Sequence, residues 1–459
     1  MEDLRDWLNH LDANHALAVI RDGVNLEYEL LTIADKFEGK KACYFPHPSG
    51  HAVPVVTGLL QQRSWVAEAL GVPPAEMLRH FKQAVDHPMP WQVIEQDKAP
   101  VHEVVIKEGI DLKKIMPIVT HNEKDGGPYI TSGLVSSKNL ETGKQNLSIH
   151  RMQVQAPDKL SILLLPRDLF AYFTYAESQN QPLPITITIG HHPVVELASQ
   201  AIAPRDVCEL EIAGALRGKP LEVVKSYTND VMIPASAEFS IEGHILPHVR
   251  CLEGPFGEFP KYYSGRGLLP VVQVHCITHR KNPIYQTNNP AGAENIVLGG
   301  IPREASLLQR IQLNFPNVLD LRLTAGGQGR YHIVIKMKKR QYGEAKNVIA
   351  AAFACHYDIK LVTVVDEDID IDVPEQVEWA LATRFQADKD LVVINRALGS
   401  KLDPSGDHRG LSSKMGLDAT AYLGDEERFY VSKTVGGQTW DLQSVLHADA
   451  GLFKKQYAG

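Results

Sequence analysis

The segment Asn146-Leu147-Ser148-Ile149-His150-Arg151-Met152-Gln153-Val154 decides the fold of this chain, because polar and apolar residues alternate along most of it. A period of two predicts a β-strand, in which successive side chains point to opposite faces. Asn146, Ser148 and His150 are therefore expected on one face of this strand. The residues between them, together with Arg151, are expected on the other face.

Seven further segments between residues 101 and 278 have the composition of β-strands and are separated by turn residues. They cover residues 101–106, 130–136, 160–165, 185–189, 221–227, 237–245 and 271–278. Many strands separated by turn signals favour a closed or partly open barrel. Two helices are expected to interrupt the strands, one after Pro166 and one over residues 208–216.

The regions on either side of these strands alternate helices and strands. Before them, helices are predicted at 4–11, 26–37, 65–70 and 74–85, and strands at 42–45 and 53–60. After Gly299-Gly300, a helix with Leu307 and Ile311 on one face leads into strands at 319–323, 331–337 and 361–365 and helices at 345–353 and 376–385. The tail beyond Arg396 is rich in Gly and Ser and is expected to pack on another domain.

These patterns predict a multidomain α/β protein of 459 residues, which is too long for a single core. We expect an N-terminal α/β domain at 1–100, a central barrel at 101–300 and a C-terminal α/β domain at 301–459.

The composition argues against several classes of protein. A net charge of −8, without a stripe of Lys and Arg between aromatic residues, argues against a nucleic-acid partner. The five cysteines are scattered and form no C-x-x-C pair, which indicates reduced thiols, a cytoplasmic location and no structural zinc. No apolar run approaches the roughly 20 residues that cross a bilayer. The acidic, amphipathic first residues do not have the pattern of a signal peptide.

The loop Leu252-Glu253-Gly254-Pro255-Phe256-Gly257-Glu258 places two carboxylates five residues apart across a bend. Its two glycines allow backbone geometry closed to other residues, and its proline fixes one φ angle, so the bend is rigid. Two carboxyl groups in different environments can be held one ionised and one protonated, as proton-transfer chemistry requires. The alternative is a surface turn with two solvated glutamates.

Arg151 and Glu209 are charged residues for which two interpretations stay open. Arg151 lies in a largely apolar strand and needs an anion, which is either a bound carboxylate or Glu253 in a structural salt bridge. Glu209, in the segment 205–211, opens a predicted helix, where the helix dipole alone favours acids. With Asn146 it would instead offer oxygen ligands that suit Mn²⁺ or Mg²⁺. The motifs at 190–193, 326–329 and 366–372 are interpreted as turns or solvated loops.

Several motifs follow one another in a recognisable order. They are the segment from Asn146 to Arg151, Glu209 before Ala213-Gly214, Val223-Val224-Lys225, Asn229-Asp230, Pro234-Ala235-Ser236-Ala237-Glu238, the loop from Glu253 to Glu258, and Ser413-Lys414-Met415-Gly416-Leu417-Asp418. Together they resemble the UbiD family of prenylated-flavin-dependent decarboxylases, from about residue 100 to residue 420. The resemblance implies an N-terminal α/β domain, a split β-barrel that holds the flavin, and a C-terminal α/β domain used for dimerisation, in a homodimer or a higher homo-oligomer.

The resemblance also implies a cofactor and its supplier. The cofactor would be prenylated FMN, made by a flavin prenyltransferase, with its phosphate held through Mn²⁺ or Mg²⁺ and a nearby K⁺. By position, Asn146 and Glu209 match metal ligands. Asp168 is the candidate third ligand, although Arg167 would alternatively reach the phosphate. The remaining cofactor contacts implied are Ile149, His150, Arg151, Leu163, Leu164, Leu165 and Lys414.

The implied reaction is a reversible, non-oxidative decarboxylation of an aromatic or heteroaromatic acid. Arg151 and Glu253 match an ion pair beside the flavin ring, and Glu258 matches the proton donor. Pocket residues assigned by position are Leu164, Phe259, Asn288 and Val297. Loss of CO₂ from an sp² carbon leaves an unstable carbanion, which explains the need for an electron sink. The alternatives are an FMN-dependent oxidoreductase on a split barrel and a non-catalytic subunit of a decarboxylase complex.

Overall fold

The computed structural model describes residues 1–204, 207–432, 441–448, 450 and 452–457, so Arg205 and Asp206 lie outside the described residues. The N-terminal part alternates helices and short strands, as predicted. Its elements are α1 (Leu4–Ala13), β1 (Leu17–Val19), α2 (Glu29–Lys36), β2 (Ala42–Phe45), β3 (Val55–Thr57), α3 (Arg63–Leu70), α4 (Met77–Asp86) and β4 (Gln92–Val93). Strands β1, β2 and β3 form one sheet, whose apolar residues pack under the amphipathic helices.

The central region contains most of the strands. They are β5 (Val104–Ile106), β6 (Tyr129–Lys138), β7 (Gln145–Ala156), β8 (Lys159–Ile162), β9 (Leu183–Ile189), β10 (Glu222–Lys225), β11 (Met232–Pro234), β12 (Phe239–Glu253), β13 (Phe256–Gly257), β14 (Tyr263–Ser264), β15 (Gly267–His279) and β16 (Tyr285–Gln286). The helices are α5 (Leu112–Ile115), α6 (Asp168–Ser178), α7 (Pro193–Ala198) and α8 (Glu209–Arg217).

Six of these strands form a closed antiparallel barrel, so the predicted barrel is confirmed. The order is β12-β9-β6-β7-β8-β15, and β15 pairs with β12 to close the ring. Two predicted strands lie outside this ring: β5 adds to the free edge of β15, and β10 pairs with β4 and β11 in a separate sheet. The sequence pattern could not assign β10, because Val223 and Val224 are buried equally well in that second sheet.

The C-terminal region forms a five-stranded sheet with helices. Its elements are α9 (Ala293–Gln312), β17 (Val318–Leu323), β18 (His332–Met337), α10 (Glu344–Cys355), β19 (Leu361–Asp366), α11 (Pro374–Arg384), α12 (Ala387–Asp390), β20 (Leu391–Leu398), β21 (Leu411–Ala419), α13 (Leu442–Val445) and α14 (Leu452–Tyr457). The strand order is β17-β18-β19-β21-β20. Among the described residues, no helix is long and apolar enough to cross a membrane.

Two sequence-based expectations fail in this region. Helix α9 begins at Ala293 and runs through Gly299-Gly300, because its buried face packs continuously and outweighs the low helix propensity of glycine. The tail beyond Arg396 does not simply pack on another domain, since β21 is an inner strand of the sheet. At Gly416 an added Cβ would clash with Cγ2 of Ile349 in α10, so this glycine lets the helix approach the sheet.

Candidate active site

Strand β7 presents a polar face, as its alternation predicted. The Ser148 hydroxyl donates to Oδ1 of Asn146 at 3.1 Å and lies 3.0 Å from Nε2 of His150. The other ring nitrogen of His150 lies 2.9 Å from the carbonyl oxygen of Leu163. Burial lowers the pKa of His150 to about 4, so the imidazole is neutral near pH 7.

Glu209 connects this polar face to the first turn of α8. Its Oε1 accepts from Nδ2 of Asn146 at 2.9 Å, and its Oε2 accepts from the backbone N–H of Leu147 at 2.8 Å. Burial raises the pKa of Glu209 to about 8, and the negative charge of Asp168 acts in the same direction. A carboxylate this strongly desolvated is stabilised by a cation.

The three predicted metal ligands line one cavity of about 520 Å³. They are Asn146 on β7, Asp168 in the first turn of α6 and Glu209 in the first turn of α8. Two carboxylates and an amide oxygen suit a hard divalent cation. The described residues contain no group of three or more His, Cys, Asp or Glu side chains able to hold a metal. The set therefore fits a cation only with Asn146 included.

The loop from Glu253 to Glu258 is held rigidly on several sides. The carboxylate of Asp125 accepts from the N–H of Gly257 at 2.8 Å, and the N–H of Gly126 donates to the carbonyl of Pro255 at 2.8 Å. Gln153 of β7 accepts from the N–H of Gly254 at 3.1 Å. The prediction of a rigid bend is confirmed, and the two glutamates are buried rather than solvated.

We expect Gly254→Ala to destabilise this loop. Gly254 has a φ of +91°, and an added Cβ would lie 3.0 Å from the backbone oxygen of Gly265. The left-handed backbone alone costs an alanine about 1–2 kcal/mol. The melting temperature should therefore fall further than in Gly109→Ala, a control with a φ of +62° and open space around it. Equal shifts in the two variants would contradict the clamped loop.

Arg151 joins the two carboxylates of this loop. Its Nη2 lies 3.3 Å from Oε2 of Glu253, and its Nη1 contacts Oε1 of Glu258. The guanidinium also stacks on Phe256, 4.9 Å from the ring centroid. Nε of Arg151 and Oε1 of Glu253 are buried without a hydrogen-bond partner among the described residues. Buried polar atoms of this kind are expected to meet a bound group.

The predicted pocket residues are brought to different parts of this site. Phe259 is buried beside Glu258, and Asn288 is fixed by two backbone hydrogen bonds with the hydroxyl of Thr131. Oδ1 of Asn288 is buried without a partner among the described residues. Leu164 packs against the barrel core. Val297 packs against the helical core, the apolar cluster formed largely by α1, α3, α4, α7 and α8. Their contact with a substrate stays a prediction.

The predicted cofactor residues are also distributed. Arg167 lines the cavity with Asp168, while Ile149 packs against the helical core and Leu165 is exposed. Lys414 is not brought to the cavity lining. Its ammonium group is buried and donates to the carbonyls of Tyr357 at 2.8 Å and Ile359 at 2.6 Å. The structure therefore shows a supporting role for Lys414 in this turn, and its contact with a phosphate stays a prediction.

Sequence reasoning missed several buried or half-buried residues around the site. The His121 ring lies edge-on to Phe256, and its Nε2 lies 2.9 Å from the hydroxyl of Thr287. Arg303 and Arg330 converge beside Gly299, and the guanidinium of Arg330 stacks on Phe259 at 4.1 Å. None of these residues belongs to a local motif, so only the folded chain reveals them.

Comparison with known proteins identifies the family. Three models match consecutive parts of the chain: the 3-octaprenyl-4-hydroxybenzoate carboxy-lyase N-terminal domain over residues 8–85, the Rift-related domain over 92–293 and the C-terminal domain over 296–419. The chain belongs to the UbiD family. It is an enzyme of the carboxy-lyase class, as the names of other UbiD proteins also indicate.

Individual UbiD proteins align over nearly the whole chain. The UbiD-class enzyme HmfF from Pelotomaculum thermopropionicum, solved in complex with FMN, is 46% identical, with a TM-score of 0.95 over 97% of this chain and 100% of that one. An evolved dimeric form of HmfF, in complex with prFMN, has a TM-score of 0.91 and 44% identity, with the same coverage.

Two curated UbiD relatives differ in their named substrates. Anhydromevalonate phosphate decarboxylase from Methanosarcina mazei is 37% identical, over 93% of this chain and 97% of that protein. Phenolic acid decarboxylase from Sedimentibacter hydroxybenzoicus is 34% identical, over 91% of each chain.

Proposed function

We propose that this chain catalyses the reversible, non-oxidative decarboxylation of an aromatic or heteroaromatic carboxylic acid, with prenylated FMN as its cofactor. The observation that carries the proposal is the contact of one buried guanidinium, that of Arg151, with both Glu253 and Glu258. The phenolic acid decarboxylase and the prFMN complex of HmfF support the substrate class and the cofactor.

The buried charged residues Arg151, Glu253 and Glu258 have different roles in the proposed reaction. Arg151 has an Nε–H without a described partner, which is available to orient a substrate carboxylate. The apolar surroundings provided by Phe256 and Phe259 favour the release of neutral CO₂. Glu258 then delivers a proton to the carbon that has lost CO₂, and takes a proton from that carbon in the reverse direction. Glu253 keeps the guanidinium in position.

The residues of the cavity fit the cofactor that the family implies. Asn146, Asp168 and Glu209 would hold a Mn²⁺ or Mg²⁺ ion, and a K⁺ ion nearby would complete the charge balance. Arg167 and His150 would border the same cofactor. When bound, prenylated FMN supplies the electron sink that loss of CO₂ from an sp² carbon requires.

Removing the charge of Glu209 should weaken the metal site. In Glu209→Gln we expect Mn²⁺ affinity to fall at least about tenfold, because one of two carboxylate ligands is lost. Glu211→Gln is a matched control on the same turn of α8, since that residue does not line the cavity. Electron paramagnetic resonance of free Mn²⁺ measures both affinities. Equal affinities would exclude Glu209 as a ligand.

The proposed function is tested on protein co-expressed with a flavin prenyltransferase in medium containing Mn²⁺. The mass and absorption spectrum of the released cofactor identify it, and CO₂ release from a panel of aromatic acids identifies the substrate. Prenylated FMN with CO₂ release from an aromatic acid supports the proposal. Plain FMN with turnover of NAD(P)H would instead support the oxidoreductase alternative.

The proposal also covers the source of the cofactor, the location of the protein and its oligomeric state. A flavin prenyltransferase provides the cofactor, and the protein is cytoplasmic. We propose the domain division at about residues 100 and 300, with the C-terminal unit forming a homodimer or a higher homo-oligomer. Light scattering of the purified protein tests the dimer, and a monomeric mass would exclude it.

A further inference from the structure

The cavity lined by the candidate metal ligands is also lined by residues of the C-terminal region. These are Arg310 of α9 and His356, which directly follows the last residue of α10. Neither Arg310 nor His356 was singled out by sequence reasoning, and neither forms an ion pair with a residue of the barrel.

The hydrogen bonds of His356 define which ring nitrogen carries the proton. Nδ1 accepts from the backbone N–H of Asp358 at 3.2 Å, so the proton of the neutral ring is on Nε2. Burial lowers the pKa of His356 to about 4, and the nearby charges of Arg303, Arg167 and Arg330 act in the same direction. No described residue accepts a hydrogen bond from Nε2. The ring is therefore a neutral N–H donor.

Lys414 fixes the turn that carries this imidazole. Its ammonium group donates to the carbonyls of Tyr357 and Ile359, the residues that follow His356 in the turn. The His356 ring also stacks on Tyr357, with the ring centroids 5.2 Å apart. A donor held in this way loses little conformational entropy when it binds a ligand.

The cavity lining carries groups of both charges. Asp168 and Glu209 are carboxylates that suit a divalent cation, while Arg167, Arg310 and the His356 N–H offer donors to an anion. The guanidiniums of the buried Arg303 and the half-buried Arg330 add positive potential without an ion pair among the described residues. An anion that binds a cation and several N–H donors at once matches a phosphate group.

We infer that Nε2–H of His356, together with Arg310, binds the phosphate of the flavin cofactor, and that Lys414 is a positioning residue for this contact. The inference rests on the proposed function, because that function places a flavin phosphate beside the metal ligands. The inference assigns phosphate binding, the role predicted for Lys414, to His356. The ammonium group of Lys414 instead holds the turn that carries His356.

Flavin titrations separate this phosphate contact from general effects on the site. Protein expressed without the prenyltransferase is titrated with FMN and with riboflavin, which lacks the phosphate, in the presence of Mn²⁺, and flavin fluorescence gives Kd. His356→Phe keeps an aromatic ring but loses the donor, whereas His356→Gln keeps an N–H donor. His332→Phe is the matched control, since His332 is a part-buried histidine of the same C-terminal region that does not line the cavity.

The expected result is a change in the ratio of the two affinities. FMN should bind about tenfold more weakly to His356→Phe, as loss of one hydrogen bond to a charged group predicts. Riboflavin affinity should stay unchanged, and His356→Gln and His332→Phe should keep the ratio of the unmodified protein. An unchanged ratio in His356→Phe would overturn this inference alone. Failure of the unmodified protein to bind any flavin would overturn the proposed function, and this inference with it.

Discussion

Glu258→Gln should lower kcat by about 10³-fold or more while the protein still binds its flavin, because the amide cannot supply the proton that completes the reaction. Glutamine has nearly the same shape as glutamate, so the rigid loop and its neighbours are expected to persist. Product formation and cofactor content are measured on the same preparation, which separates a chemical defect from a loading defect.

The control for this variant is Glu108→Gln, which removes a negative charge from an exposed turn. Its turnover should equal that of the unmodified protein. If Glu258→Gln also turned over normally with a full complement of flavin, Glu258 would not be the proton donor. The proton would then have to come from another group that touches the substrate.

The second large effect is expected at Arg151. In Arg151→Lys the positive charge remains, but a single ammonium group cannot reproduce the planar fork that meets Glu253, Glu258 and a substrate carboxylate together. We expect kcat/KM to fall by about 10²-fold or more, as for loss of a preorganised donor. Steady-state kinetics with the substrate identified by CO₂ release measure the change.

A matched variant tests whether this effect is local. Arg250→Lys alters another arginine that stacks on a phenylalanine and pairs with a glutamate, Glu177, at the protein surface. Because exposed pairs contribute little, its kinetics should be unchanged. Equal losses in both variants would indicate a general sensitivity of the barrel to arginine replacement rather than a role for Arg151.

Local sequence patterns correctly predicted the structural features that depend only on residues close together in sequence. The alternation in β7 correctly placed Asn146, Ser148 and His150 on one face, because a strand fixes side-chain direction by itself. The glycines and proline of the loop from Glu253 to Glu258 correctly indicated a rigid bend. The ion pair between Arg151 and Glu253 was an open alternative in the sequence, and the fold realises it.

The features that the sequence did not predict depend on packing between residues far apart in sequence. Nothing near Lys414 in sequence shows that the turn after α10 folds over its ammonium group, so its hydrogen bonds to the carbonyls of Tyr357 and Ile359 were not predicted. His121, Arg303 and Arg330 are single residues outside any local motif. Only the fold brings His121 to Phe256, Arg330 to Phe259, and both arginines to Gly299. Helix α9 likewise crosses two glycines because distant residues cover them.

The continuity of α9 has a mechanical consequence. Its 20 residues extend for about 30 Å at the rise of an α-helix. Near its start it carries Val297, a candidate substrate contact, and near its end Arg310, a candidate phosphate contact. A tilt of the C-terminal sheet that moves α9 would therefore displace Val297 and Arg310 together. The fit of the substrate and the binding of the cofactor phosphate are thus coupled through this single helix.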